Sequence, residues 1–77
     1  MEEEIIKNYM DAHPREPSTV SIPHFDKNKL FQHHGFLLAI LKGNLHIENY
    51  DGGFCCIPTN KIIRIGPDKH PPLEYQR

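Results

Sequence analysis

The chain has 77 residues, enough for one domain but too few to enclose two cores. Hydrophobic residues at 38% and charged residues at 25% are those of a soluble protein, and no apolar run nears the roughly 18 residues that span a bilayer. A net charge of −1 and a pI near 6.6 exclude the strongly basic footprint of a dedicated nucleic-acid binder, which usually has a pI above about 9.

The charge is unevenly placed. Residues 1–17 carry five acids against two bases, residues 18–60 three of each, and residues 61–77 four bases against two acids. The two ends can therefore attract each other, or the C-terminal part can present a weak basic patch. The start Met1-Glu2-Glu3-Glu4 lacks the basic and apolar segments of a secretory signal, so a cytoplasmic location is expected. A domain of this size buries only about 60% of its unfolded surface and gains from a staple. The adjacent Cys55 and Cys56 are poorly placed to bridge each other and read as reduced, buried cysteines.

The chain divides into a helical segment (1–12), a proline-rich connector (13–25), a β-rich core (26–66) and a tail (67–77). In the first segment Ile5, Ile6, Tyr9 and Met10 share one face of a helix over 2–11. Glutamates fill its first turn, where the helix dipole favours them, and Pro14 ends it. Ten residues are marginal alone, so that face must dock. Prolines 14, 17 and 23 bracket Thr19–Ile22, which reads as an edge strand or a solvated linker. Asp26 can cap a short helix over 27–34, stopped by Gly35.

The run Phe36-Leu37-Leu38-Ala39-Ile40-Leu41 reads as a buried strand entering a turn at Lys42-Gly43-Asn44, with one long helix over 27–42 as the rival. Leu45 and Ile47 alternate with His46 and Glu48 in a half-buried strand. Tyr50-Asp51-Gly52-Gly53 predicts a hairpin turn, Phe54–Ile57 the returning strand and Lys61–Ile65 a last strand closed by Gly66-Pro67. The fold class is α+β: a short N-terminal helix with an antiparallel β-meander, or an SH3-like or Sm-like partial barrel, of three to five strands. The stretch Leu30–Leu38 through Lys42, with the ending Ile57-Pro58-Thr59-Asn60-Lys61-Ile62, resembles small bacterial Sm-like modulators of the Rho termination factor. The resemblance covers about a third of the chain, whose middle is shorter than that family's long central strands, and it carries over no functional residue.

Six histidines and two cysteines raise the question of zinc. Zinc sites draw on paired short spacings such as Cys-x2-Cys, and none is present; Cys56, His46 and one of His33 or His34 form the best available set. The expectation is no cofactor and no native metal, with a zinc-stabilised binding domain as an alternative. Cysteine catalysis would need Cys55 or Cys56 beside His46, but flanking Phe54 and Ile57 make the setting apolar and no third residue is evident. Gly52-Gly53 is a turn, without a phosphate-loop pattern. These features indicate a non-catalytic regulator or adaptor that binds a larger protein, through Tyr50 and Asp51 at the hairpin tip, Arg64 on the last strand and Tyr75 in the tail. The alternative is a small-barrel RNA or single-strand binder using Lys42, Tyr50, Lys61 and Arg64, with Phe36 and Phe54 as further aromatics. A homodimer would supply the burial that so short a chain lacks.

Overall fold

The computed structural model describes residues 1–24 and 29–75. The amphipathic N-terminal pattern forms α1 (Glu3–Ala12), which buries Ile6 completely. The two acids in its first turn face the positive end of the helix dipole, and the His13 N–H closes the last turn on the Tyr9 carbonyl at 2.9 Å. Five strands follow: β1 (Pro17–Pro23), β2 (Leu30–Leu41), β3 (Asn44–Asn49), β4 (Phe54–Pro58) and β5 (Arg64–Pro67). They form one antiparallel sheet in the order β4-β3-β2-β1-β5. The fold is a single helix followed by an open five-stranded sheet: β4 and β5 are its edges and do not pair, so no barrel closes.

Several expectations change. Thr19–Ile22 is neither edge nor linker; it lies within β1, between β2 and β5, and prolines occupy only the strand ends, where a missing N–H costs little. Residues 30–34, expected in a short helix, belong to the twelve-residue β2, which also rules out the helix over 27–42. Pairing of His33 with Val20 and of Phe31 with Ile22 overrides the local helical preference. The proposed cap at Asp26 lies outside the described residues.

Gly35 is no helix stop but a strand residue, required because a side chain there would run into the Glu48 backbone carbonyl. The last strand starts three residues later than expected. Thr59–Lys61 makes a 3-10 turn, Ile62 is buried, and pairing begins at Ser21 with Arg64. Gly66 and Pro67, expected to close the strand, are part of it.

The turns follow the sequence. Lys42 and Gly43 both adopt positive φ (51° and 77°), the two-residue turn that joins twisted antiparallel strands. At the second hairpin the Asn49 N–H donates to Gly53 and Gly52 takes φ 91°. Alternation sets the two faces of the sheet. Val20, Leu45, Ile47 and Ile57 point inward with Ile6 and Ile62 into the core. The Tyr9 hydroxyl meets Ser18 Oγ at 3.1 Å, and the Met1 amino group donates to the Thr59 and Ile62 carbonyls, so both ends of the α1 segment are tied down. A bulge between Leu37 and Ala39 turns Leu38 outward, 47% exposed. Among the described residues no helix is long and apolar enough to cross a membrane.

Candidate functional site

The outer face of the sheet carries the concentrated chemistry. Its first row runs across three strands, with Phe54 and Phe36 on either side of Glu48. Tyr50 follows the end of β3 and packs edge-on against Phe36, ring centroids 5.7 Å apart. The segment after β5, expected to be a loose tail, returns over this face. Its 3-10 turn (Leu73–Tyr75) lays Tyr75 on Tyr50 at 5.4 Å and edge-on to Phe36 at 5.1 Å. Such ring pairs contribute on the order of 0.5–1.5 kcal/mol each beyond simple burial.

Asp68 anchors the returning segment. Its own N–H donates to the Pro17 carbonyl at 2.9 Å, extending the β5 pairing. One carboxylate oxygen accepts the Tyr50 hydroxyl at 2.6 Å, and the other accepts the His70 backbone N–H at 3.0 Å. Burial raises the Asp68 pKa, but the Tyr50 and His70 hydrogen bonds outweigh it and hold the carboxyl below its ordinary range. Burial, then the bond to this carboxylate, pushes the Tyr50 phenol far above its ordinary value.

His34 stands beside Asp68 and Thr19 in an arrangement that superficially suggests acid–base catalysis. Its Nδ1 lies 3.0 Å from Thr19 Oγ1 and 3.6 Å from Asp68 Oδ2. A relay needs the carboxylate on one imidazole nitrogen and the hydroxyl on the other. Here both approach the same nitrogen, so the group does not form one.

The two cysteines face opposite ways, as their adjacency in a strand requires. On the outer face Cys56 lies directly across from His46, with Sγ 3.2 Å from Nδ1. On the inner face Cys55 Sγ is 3.6 Å from Asn49 Oδ1 and 3.9 Å from His33 Nδ1. Burial pushes the Cys55 thiol up and the His33 imidazole down. Of the two cysteines weighed for a place beside His46, Cys56 takes it, but among the described residues no third side chain orients His46, and Cys56 is exposed rather than buried. Of the set considered for zinc, His33 faces inward, whereas His34 faces outward with Cys56 and His46. Among the described residues no three metal-binding side chains converge.

The residues singled out from sequence fall into separate places. Tyr50 and Tyr75 stack on each other, and Asp51 is next to them, its carboxylate bonded to the Gly53 N–H at 2.8 Å. Arg64 lies further along the outer face, across from Ser21. Lys42 and Lys61 belong to the opposite end of the hairpins, where the Thr59 N–H donates to Gly43. Sequence reasoning missed Asp68, which looked like one charge in a tail, and Leu38, whose outward turn depends on a bulge. No family model matches the chain, and neither a curated protein nor a solved structure does.

Proposed function

We propose that the chain is a small non-catalytic regulator or adaptor that acts by binding a larger protein, through the aromatic part of its outer face. The observation that carries this reading is the exposure of Phe54 (69%) in one row with Phe36, which itself packs on the Tyr50–Tyr75 stack. An apolar groove of about 330 Å³ adjoins it, lined by Phe36, Leu37 and Leu38 and flanked by Arg15 and Glu48. Aromatic anchors beside a pocket, rimmed by charges of both signs, suit a protein surface. The same aromatics would suit stacked bases, but their charged neighbours Arg15, Glu48 and Asp51 are mixed in sign, while Lys42 and Lys61 sit at the other end of the sheet. That distribution favours a protein over the nucleic-acid alternative.

Native mass spectrometry of the full chain, purified from its source cells, tests the proposal. The wild type is expected to carry a stoichiometric protein chain, and Phe54→Ser to lose it while changing stability by no more than about 0.5 kcal/mol. A wild-type protein recovered with bound nucleic acid, or a variant that keeps its partner, would refute the reading.

A further inference from the structure

Beyond the aromatic row, the outer face of β2, β1 and β5 forms an open hollow of about 360 Å³. Its floor follows from strand register. One row sets Arg64, Ser21 and Gln32 side by side, and the next sets Gly66, Thr19 and His34. Gly66 contributes no side chain and no atom lies within 4 Å of where a Cβ would stand, which opens the hollow. Lys69 and His70, in the segment returning from β5, complete the rim.

The side chains around this hollow are nearly all donors. Arg64 and Lys69 make no hydrogen bond or ion pair among the described residues, although each carries several N–H groups. The Thr19 hydroxyl meets His34 Nδ1 at 3.0 Å and the Gln32 amide donates to the buried Ser21 Oγ at 3.5 Å, which leaves Gln32 a second N–H for a ligand. The one carboxylate, Asp68, is already engaged on both oxygens by Tyr50 and the His70 N–H, so it does not satisfy the cations. The charges of Arg64 and Lys69 against Asp68 leave a net +1. A volume in the lower part of the ~300–1,000 Å³ range for small-molecule sites admits a charged group with a modest organic substituent. A phosphate monoester fits this set better than a carboxylate. It brings about −1.5 to −2 charges at neutral pH and three terminal oxygens, enough acceptors for a guanidinium, an ammonium and a hydroxyl together.

We propose that this hollow is a binding site for a phosphate monoester, with Arg64 and Lys69 as its charge-pairing residues and Thr19 and Gln32 as orienting donors. The ester belongs either to a small molecule or to a phosphorylated side chain of a protein partner, and the shared chemistry is the terminal phosphate. Phe54 and Arg64 lie on opposite edges of the sheet, and Asp68, bonded to Tyr50, joins the hollow to the aromatic cluster.

The test is an NMR titration of the full chain at constant ionic strength, with phenyl phosphate, a phosphoserine peptide, sulfate and a single-stranded RNA oligonucleotide as probes. Saturable shifts at Thr19, Gln32 and Gly66 are expected with both monoesters. Arg64→Gln and Lys69→Gln should each weaken binding roughly tenfold, the worth of one charge-assisted hydrogen bond, while Lys7→Gln on α1 leaves it unchanged. Tighter binding of the peptide assigns the phosphate to a partner's side chain; equal or tighter binding of phenyl phosphate assigns it to a small molecule. Both variants are at exposed positions, and their unshifted core resonances report an intact fold. No saturable shift with either monoester, equal binding of sulfate, preference for RNA, or insensitivity to both substitutions would overturn the proposal.

Discussion

The two faces of one sheet use the same residue types for opposite ends. Inward, Val20, Leu45, Ile47 and Ile57 pack beneath α1 and are at most 3% exposed. Outward, Phe54 and Leu38 stand in solvent, and polar side chains surround a hollow. The contrast reaches neighbouring residues: Cys55 turns into the partly buried side beside His33, and Cys56 turns out beside His46. An apolar side chain in this molecule is therefore not evidence of core. What decides its part is the face that strand register gives it.

Substitutions on the inward face should produce the largest effects. Ile47→Ala is expected to cost about 2–5 kcal/mol, read by urea denaturation, because the sheet and α1 cannot collapse fully into the space left. A loss under about 1 kcal/mol would mean that the core is loosely packed and the contrast overstated.

On the outer face the bond from Tyr50 to Asp68 holds the returning segment. Tyr50→Phe removes the hydroxyl that holds Asp68, for an expected loss of about 1 kcal/mol. The specific sign is that the ring of Tyr75 should leave Phe36, with faster proteolysis after Asp68 and loss of ring-current shifts at Phe36. If the returning segment stays docked, the stacked rings hold it without Asp68.

A smaller effect lies on the inner side and depends on pH. The His33 imidazole is held below its ordinary value of about 6.5 by burial and by neighbouring His34. The unfolded chain therefore binds more protons than the folded one as the pH falls through about 6.5. The contribution of neutral His33 is full above that value and is lost below it, down to the depressed folded pKa. The urea midpoint should fall across this window, and His33→Gln should flatten the fall. An unchanged slope would place the pH dependence elsewhere.

The finest probe needs no mutation. Brief treatment of the native protein with iodoacetamide, followed by peptide mapping, should label Cys56 before Cys55. Cys56 is exposed, whereas Cys55 is half-buried with its thiol pushed up. Equal labelling would contradict the assignment of faces.

Much of the architecture was legible locally. The spacing of Ile6, Tyr9 and Met10, the glycine turns at Gly43 and Gly52, and the alternation through Leu45 and Ile47 gave α1, both hairpins, β3 and β4, because each rests on short-range geometry. The aromatic cluster was visible only in part: Tyr50 and Tyr75 were picked out separately, 25 residues apart in number, with nothing to indicate that they touch. Residues 30–34 carry no local strand signal, because a leucine, a phenylalanine and a glutamine satisfy a helix as readily as a strand.

Sequence by itself determined the helix, the turns and the residues that prefer burial, since backbone sterics and hydrophobic period act between near neighbours. Tertiary structure alone decided the rest. It placed β1 between β2 and β5, made Gly35 obligatory against the Glu48 backbone, and brought Asp68 to Tyr50. It also grouped Arg64, Thr19, Gln32 and Lys69 around one hollow. Each of these depends on pairing between segments distant in the chain, and the free energy of such pairing is set by the partner strand, which local sequence does not encode.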